Sequence, residues 1–384
     1  MTLGLPLPRA PAAAPGIAPA PGTAVSVQQG YCINLRGRLD ACNLCTRACH
    51  AQAITLGPDE VAIDPALCVG CGACVPACPA GALTVEGFDP AAVVVAALQG
   101  GGAQLACAGS GQAGAGKVPC HKMTDARLLA ALFAAGAGEI AILGTENCAA
   151  CPAGDARPAL AEAEKTLAKW FGAAAPRLVL AGAAPDAAAG RGIAAGRRQF
   201  LRGRFRALAP TTGATPDLPD FEDPVYDDGA EAAPARAVPY QALLADVRAA
   251  LPFRPDGATG ATGRNIDAAC SGCMICAELC PTGALNDASG AAGGSFVRQV
   301  GFDAALCTNC TLCLKVCPMK AISARALRGP GAATGGRSIL FARSEQTCAN
   351  CGSLYAPAPG GGALCPGCEN DRQMDDDWLD MLSG

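Results

Sequence analysis

Cysteine spacing constrains this chain more than any other feature of its sequence. The chain has 384 residues, and 24 of them are cysteines, most of which recur at short fixed intervals. Two runs in the C-terminal half follow the pattern Cys-x2-Cys-x2-Cys-x3-Cys-Pro: Cys270, Cys273, Cys276, Cys280 and Cys307, Cys310, Cys313, Cys317. This spacing is typical of [4Fe–4S] ligands, in which three thiolates hold one cluster and the fourth reaches the cluster of the partner run. The tandem therefore predicts two clusters, each held by both runs.

A disulfide framework is the competing explanation for so many cysteines. Chains stabilised by disulfides are short and secreted. This chain is long, and its N-terminus lacks the charged and apolar regions of a signal peptide. The cysteine content therefore predicts reduced thiols in a cytoplasmic protein.

A second tandem lies nearer the N-terminus and departs from the pattern at one position. Its complete run is Cys68, Cys71, Cys74, Cys78, and the run before it retains only Cys42, Cys45, Cys49. Cys32 is predicted to replace the missing first ligand, with residues 33–41 as an insertion. The predicted ligand sets are then Cys32, Cys42, Cys45, Cys78 for one cluster and Cys49, Cys68, Cys71, Cys74 for the other. The alternative leaves Cys32 free and makes the first site a three-ligand [3Fe–4S] centre.

The segments around both tandems contain short strands and turns, and Ala-Ile or Ala-Leu after the fourth cysteine begins a strand. On these motifs, two parts of the chain, residues 30–88 and about 265–325, resemble the dicluster bacterial ferredoxin family. The resemblance implies short hairpins and helices arranged with pseudo-twofold symmetry over two clusters, and one-electron transfer between them. We therefore expect modules at 30–88 and 265–328, with four [4Fe–4S] clusters in total.

The segment between the two modules, residues 89–185, alternates apolar strand and helix patterns. This alternation predicts a small parallel α/β domain. Asp125 is expected to cap a helix that buries Leu128, Leu129, Leu132 and Phe133 on one stripe, and Gly136 and Gly138 are expected to end that helix.

Four cysteines of this central domain follow its predicted strands, where α/β sheets hold ligands: Cys107, Cys120, Cys148, Cys151. The stretch from 118 to 154 resembles the iron–sulfur subunit that links hydrogenase to heterodisulfide reductase, which implies a [2Fe–2S] cluster on these cysteines. The step from Cys148 to Cys151 is shorter than in that family, so a [4Fe–4S] cluster stays open. The alternatives are four buried thiols or a thiol–disulfide site at Cys148 and Cys151. His121 is expected to form a local hydrogen bond, not to act as a ligand.

Two further Cys-x2-Cys pairs lie close together near the C-terminus: Cys348, Cys351 and Cys365, Cys368. Two such pairs joined by a short hairpin form a tetrahedral four-thiolate site. The pattern predicts a zinc ribbon over residues 340–372, with iron as the alternative metal. An acidic tail, residues 373–384, follows.

The remaining segments have no metal-ligand pattern. Residues 1–29 are rich in proline and alanine and are predicted to be disordered. Residues 186–264 are predicted to be a linker that contains a basic helix at 196–208. The formal net charge of −4 supplies no basic field for a nucleic acid, and no apolar run is long enough to span a membrane.

These patterns predict an α+β multidomain protein: two ferredoxin-like dicluster modules, a parallel α/β domain between them and a C-terminal zinc ribbon. The expected function is electron transfer between a redox donor and a catalytic oxidoreductase subunit. The chain itself is expected to be a carrier, since it has no P-loop, Rossmann fingerprint or Ser/His/Asp set. Residues 196–208 are similar to the start of the cytoplasmic ferredoxin of periplasmic nitrate reductase systems, which implies a molybdenum enzyme as partner. The alternatives are a heterodisulfide-reductase-like thiol/disulfide enzyme subunit and an assembly factor for a molybdenum enzyme.

Overall fold

The computed structural model describes residues 24–99, 102–112, 116–181, 238–255, 257–292, 295–328, 337–357 and 360–383. All 24 cysteines lie in these ranges, and all are free thiols. No helix in the described ranges has both the length and the apolar character needed to cross a membrane. The predicted basic helix at 196–208 lies outside the described residues.

The first module consists of two small antiparallel strand pairs and three short helices. Its elements are β1 (Val25–Val27), α1 (Ile33–Gly37), α2 (Leu44–Ala48), β2 (Ile54–Leu56), β3 (Val61–Ile63), α3 (Cys74–Ala77) and β4 (Leu83–Val85). Strand β1 pairs with β4, and β2 pairs with β3. The N-terminal prediction of disorder over 1–29 therefore differs from the structure at β1. This strand gains its hydrogen bonds from β4, which lies far along the chain.

The central domain is a four-stranded parallel sheet with helices. Its elements are α4 (Pro90–Ala97), β5 (Ala103–Cys107), β6 (Gly116–Val118), α5 (Ala126–Ala134), β7 (Glu139–Leu143), α6 (Arg157–Phe171) and β8 (Arg177–Ala181). The strand order is β6-β5-β7-β8, and every pair is parallel. This is the sheet type that the strand and helix alternation predicts. Its core is the largest in the described chain, and α5 contributes Leu128, Leu129 and Leu132, all fully buried.

Helix α5 begins and ends at the predicted residues. The Asp125 carboxylate accepts hydrogen bonds from the backbone N–H groups of Arg127 and Leu128 at 3.0 and 3.1 Å. These bonds satisfy two of the N–H groups that a helix start leaves unpaired. Gly136 follows the helix with a φ of 99°, a backbone conformation that glycine adopts without steric cost.

The predicted linker over 186–264 is too long, because its last part is folded. Helix α7 (Pro239–Val247) packs its buried residues Tyr240, Leu243 and Leu244 into the core of the central domain. Residues 258–264 belong to β9 (Ala258–Ile266), the first strand of the second module. Burial of apolar side chains on another element fixes both segments, and this tertiary contact has no signature in the local sequence.

The second module repeats the first with a larger sheet. Besides β9 it contains α8 (Ile275–Glu278), β10 (Leu285–Asp287), β11 (Gly290–Ala292), β12 (Ser295–Asp303), α9 (Leu312–Val316), β13 (Ile322–Arg328) and β14 (Arg337–Ser344). Strand β9 pairs with β13, as β1 does with β4. Strand β12 pairs with β10, β11 and β14, all antiparallel.

The C-terminal element is a small hairpin followed by a helix. The hairpin joins β15 (Gln346–Thr347) and β16 (Leu354–Tyr355), and α10 (Pro366–Ser383) follows. Two predicted boundaries change as a result. Strand β14, which holds residues 340–344 of the predicted ribbon, belongs to the sheet of the second module. The predicted tail at 373–384 is helical through Ser383, because α10 starts in the second cysteine pair and continues into it.

The two modules pack against each other directly. Ile33 and Ala80 of the first module bury against Leu312 of the second. The Arg36 guanidinium donates to the carbonyl oxygens of Leu279 at 3.1 Å and Glu278 at 2.8 Å. In the opposite direction, Lys315 Nζ donates to the Ala41 carbonyl oxygen at 2.6 Å. An apolar centre with hydrogen bonds at its rim thus joins modules that are far apart in sequence.

Candidate iron–sulfur and metal centres

The complete cysteine runs form loops whose backbone is left-handed on both sides of the second cysteine. The residues with positive φ at these places are Gly70, Gly72, Gly272, Met274, Asn309 and Thr311. Side chains other than glycine pay about 1–3 kcal/mol for this conformation. The loops are therefore strained at their non-glycine positions. This backbone conformation turns the chain sharply between ligands, so that three cysteines of one run face a common space.

The Cys32 site is the set Cys32, Cys42, Cys45 and Cys78. Burial, with smaller contributions from the thiolates of Cys78, Cys42 and Cys32, raises the pKa of Cys45 to about 11. The displaced cysteine is thus brought beside the other three. The insertion at 33–41 contains α1, and Cys32 lies immediately before its first residue.

Asn34 fixes the geometry of this insertion. Its side-chain oxygen accepts from the backbone N–H groups of Ala41 at 3.0 Å and Cys42 at 2.8 Å. Its side-chain nitrogen donates to the Cys42 carbonyl oxygen at 2.8 Å. The start of α1 and the first cysteine after the insertion are therefore held together by one side chain. Sequence reasoning missed this residue, because an asparagine in a loop has many local roles.

The Cys68 site is the set Cys49, Cys68, Cys71 and Cys74. Burial raises the pKa of Cys74 to about 12, and the other three thiolates of the set add to the effect. The second module contains two equivalent sets. The Cys307 site consists of Cys280, Cys307, Cys310 and Cys313, and the Cys270 site consists of Cys270, Cys273, Cys276 and Cys317. Each set combines three cysteines of one run with the fourth of its partner, which is the exchange that the spacing predicts.

These sets fit an iron–sulfur cluster chemically. Burial, with smaller contributions from the neighbouring thiolates, raises the pKa of both Cys276 and Cys310 to about 12. A bound metal supplies the positive charge that keeps such thiols deprotonated. Backbone N–H groups also donate to the sulfurs, as Ala53 does to Cys49 Sγ at 3.3 Å and Ala82 to Cys78 Sγ at 3.3 Å.

One buried hydroxyl points to the same chemistry. Thr308 Oγ1 is buried beside the Cys307 site and has no hydrogen-bond partner among the described residues. A buried hydroxyl without a partner is costly. The sulfur atoms of a cluster in this cavity are the acceptors that such a hydroxyl lacks.

The four cysteines of the central domain also lie near one another, and we call them the Cys107 site. The thiolates of Cys148 and Cys151 raise the pKa of Cys107, and the thiolate of Cys107 raises the pKa of Cys120. Burial is the main cause of the raised pKa of Cys107, Cys120 and Cys148. A thiol–disulfide enzyme requires a lowered pKa at its attacking thiol, so these directions favour ligands over a nucleophile.

His121 has the predicted structural role. Its imidazole is fully buried, and Nε2 lies 2.7 Å from the Leu143 carbonyl oxygen. Because a carbonyl oxygen only accepts, Nε2 carries the proton. Burial lowers the pKa of this histidine, which favours the neutral ring.

The Cys107 site adjoins the first module. Cys120, Cys148 and Cys151 share an apolar cluster with Cys71 of the Cys68 site. Lys122 Nζ donates to the Ala153 carbonyl oxygen at 2.5 Å. Burial raises the pKa of Cys71, and the positive charge of Lys122 opposes that shift. A lysine between two thiolate sets offsets part of their mutual repulsion, and the sequence pattern did not single it out.

The ribbon site differs from the others in size. The sulfur atoms of Cys348, Cys351, Cys365 and Cys368 all lie within 4.8 Å of one another, and Cys351 Sγ is 3.7 Å from Cys365 Sγ. A tetrahedron with Zn–S bonds of about 2.3 Å has edges of about 3.8 Å. Backbone N–H groups of Cys351 and Cys365 lower the pKa of Cys348 to about 6. The set suits a single metal ion. Elsewhere in the described ranges, no other group of three or more Cys, His, Asp or Glu ligand atoms is this compact.

Comparisons with known proteins agree with the cysteine geometry of the two modules. A family profile described as the 4Fe-4S dicluster domain matches residues 40–82 and 269–321. The ferredoxin of Alicyclobacillus acidocaldarius subsp. acidocaldarius is 48% identical over 46 residues, and Ferredoxin 7Fe of Hydrogenibacillus schlegelii is 41% identical over 46 residues. Each alignment covers 12% of this chain and 59% of the relative. The chain is an iron–sulfur protein with ferredoxin-type domains. The two profile matches lie outside the central domain and the ribbon.

The Cys32 site yields a direct test of its displaced ligand. We expect Cys32→Ala to convert one four-iron centre into a three-iron form. Three thiolates remain in place, but the fourth iron atom loses the ligand that Cys32 supplied. EPR of the oxidised protein should show a new three-iron signal, and iron analysis should show a loss of about one iron per chain. Leu39→Ala, a change at an exposed residue of the same insertion, is the control and should leave both measurements unchanged. An unaltered spectrum and iron content in Cys32→Ala would show that Cys32 is not a ligand and would favour the three-ligand alternative.

Proposed function

We propose that this protein transfers electrons through several iron–sulfur centres, between a redox donor and a catalytic oxidoreductase subunit. The observation that carries the proposal is the order of the cysteine sites in the fold. Contacts link neighbouring sites in an order that we call the row: the Cys107 site, the Cys68 site, the Cys32 site, the Cys307 site and the Cys270 site. Each site adjoins the next through packed protein.

Contacts between neighbouring sites support this order. Cys71 of the Cys68 site packs with Cys120 and Cys148 of the Cys107 site. At the module interface, Cys42 and Cys78 of the Cys32 site pack on the same buried cluster as Cys310 of the Cys307 site. Within each module, the two sites exchange their fourth cysteine and so lie side by side. Electron transfer requires such proximity, and a chain of independent domains on flexible linkers would not supply it.

Iron–sulfur clusters supply reversible one-electron oxidation and reduction. The proposed set is four [4Fe–4S] clusters at the Cys32, Cys68, Cys307 and Cys270 sites, a further cluster at the Cys107 site and zinc at the ribbon site. The protein contributes the thiolates, the backbone N–H groups that donate to sulfur, and the apolar side chains that keep water away. Net charge, hydrogen bonds to sulfur and exposure set the reduction potential of such centres.

The ends of the row are the proposed points of exchange with partners. At one end, Cys273 of the Cys270 site is exposed to solvent. At the other end, Cys107 and Cys151 are partly exposed. A partner that docks at either end reaches a centre without displacing a domain. We propose a molybdenum enzyme as the catalytic partner, because residues 196–208 are similar to the start of the cytoplasmic ferredoxin of periplasmic nitrate reductase systems. Co-purification with its folded holoenzyme supports electron transfer, whereas association only with the apo-subunit supports the assembly-factor alternative.

Metal content tests the number of centres. We expect anaerobically purified and fully reconstituted protein to contain about 16 Fe per chain from four [4Fe–4S] clusters, with additional iron from the Cys107 site and one zinc. Iron, sulfide and zinc analysis, together with EPR of the reduced protein, measures this. Saturation near half of that iron content would contradict the four-cluster proposal.

The Cys107 site separates an electron carrier from a thiol/disulfide enzyme. A cluster needs its four thiolates together, whereas a redox disulfide needs only Cys148 and Cys151. We expect Cys107→Ser and Cys148→Ser to cause the same loss of one iron centre in the full-length protein. Ser110→Ala, which removes a hydroxyl near Cys107 but no thiolate, is the control.

The opposite result would support the enzyme alternative. In that case Cys107→Ser keeps the full iron content, and only Cys148 and Cys151 react with thiol reagents after reduction. The site would then hold a reactive pair next to the row of centres.

The ribbon should depend on its metal for folding. Removing one thiolate from a closed four-thiolate site abolishes both binding and the fold that binding stabilises. Cys365→Ser should therefore lose zinc and become sensitive to protease after about residue 345, while the visible absorption of the iron–sulfur centres is retained. Leu354→Ala, at an exposed residue of the same hairpin, should keep zinc and resist protease. A loss of iron absorption in Cys365→Ser would mean that the ribbon site holds iron.

A further inference from the structure

The two modules repeat one strand pair, which allows their sites to be compared residue by residue. In the first module, Val25 of β1 lies opposite Val85 of β4. In the second, Arg264 of β9 lies opposite Ala324 of β13. Val85 and Ala324 each follow the last cysteine of their run by the same number of residues. Val25 and Arg264 therefore occupy equivalent positions.

The two positions line equivalent cavities. Val25 lines the cavity around the Cys68 site, and Arg264 lines the cavity around the Cys307 site. The two sites also use corresponding cysteines of their runs. At this strand position the chain thus has an apolar side chain beside one site and a cation beside the other, although Lys122 of the central domain also acts on Cys71 of the Cys68 site.

Arg264 is held in place as a buried cation. Its side chain is only 2% exposed. Its Nε donates to Cys313 Sγ at 3.4 Å, and Nη2 donates to Asn309 Oδ1 at 3.0 Å. Its Nη1 donates to the Gly263 carbonyl oxygen at 3.0 Å. None of the ion pairs formed within the described residues includes Arg264. Since a guanidinium keeps its charge in proteins, that charge is directed at the thiolates of the Cys307 site.

A buried positive charge next to a redox centre favours its reduced form, because reduction adds one negative charge. The effect is strong where the surroundings have a low dielectric constant. A hydrogen bond from a charged donor to a ligand sulfur acts in the same direction. The Cys68 site has no counterpart to this interaction at Val25.

We propose that Arg264 gives the Cys307 site a higher reduction potential than the equivalent Cys68 site, so that an electron distributed between these two sites rests at the Cys307 site. The inference rests on the proposed function, since it requires a [4Fe–4S] cluster at both sites. The Cys307 site lies at the interface between the modules. Arg264 therefore acts by placing a positive charge beside this site. It places the resting electron in the interior of the row, away from both proposed points of exchange.

The test is a redox titration of the reconstituted full-length protein, followed by EPR. In the wild type, one [4Fe–4S] centre should be reduced at a distinctly higher potential than the others. In Arg264→Gln, this centre should move to lower potential and titrate with the rest, whereas Arg264→Lys, which keeps the charge, should retain a higher potential. Arg325→Gln removes an exposed positive charge from β13 in the same strand pair and is the matched control. It should shift the titration little, because water screens exposed charges.

Iron analysis of the same samples distinguishes a failure of the proposed function from a failure of the proposed role of Arg264. A wild type that binds no [4Fe–4S] cluster contradicts the proposed function itself. A wild type with its full iron content, in which all centres are reduced together, contradicts only the role of Arg264. A shift in Arg264→Gln no larger than that in Arg325→Gln also contradicts it. If Arg264→Gln loses iron, its titration no longer reports the potential of an intact site. The titrations of the wild type and of Arg264→Lys then test the role of Arg264. Loss of the high-potential centre in an iron-replete Arg264→Lys protein would overturn the inference.

Discussion

Buried thiolates that crowd together are the constraint on which the two modules depend. Each module gathers eight cysteines into two sets, and burial of neighbouring like charges opposes their ionisation. The apolar core of the first module is small, with Ile54, Val61, Cys74 and Leu83 as its buried members. So small a core offers little hydrophobic free energy to offset chain entropy. Metal ligation supplies charge compensation and folding energy at once, whereas the central domain has a leucine-rich core of its own.

Packing between the domains converts separate sites into a series. The first module contacts the central domain and the second module through different sites, and the central domain also contacts the second module, where Gln241 Nε2 donates to the Cys307 carbonyl oxygen at 3.3 Å. Met123 of the central domain fills the space beside Gly72, where a Cβ would lie 2.3 Å from its sulfur. Gly37 makes a similarly close approach to Leu312 of the second module. These contacts leave no room for larger side chains at Gly72 and Gly37. The order of the sites therefore follows from close packing between the domains and does not require a linker of defined length.

Local patterns predicted which cysteines the fold groups together, because spacing is itself a local property, and their role as ligands stays a prediction. The exchange of the fourth cysteine, the parallel sheet and the Asp125 cap all follow from residues close together in sequence. Strand β9 was placed in the linker because its sequence, ATGATGRNI, is rich in glycine and threonine and resembles a loop. It forms only because β13 pairs with it. The same limit applies to α7, to the docking of the modules through Arg36, and to Asn34, whose partners are fixed by the insertion.

The comparison of Val25 with Arg264 shows what repetition of a scaffold can and cannot fix. Ladder register and the cysteine spacing of the second run are the same in both modules, so the thiolates of the Cys68 and Cys307 sites converge in the same way. Neither constrains the side chain that faces the cavity from the first strand of the pair. An apolar residue there supplies no charge to the thiolates, so that Lys122 acts on Cys71 from the central domain instead. A buried arginine there donates directly to Cys313 Sγ and is held by Asn309. Two sites that share one fold can thus differ in electrostatics through a single residue. Such a residue lies outside the cysteine motif, and the motif alone does not reveal it.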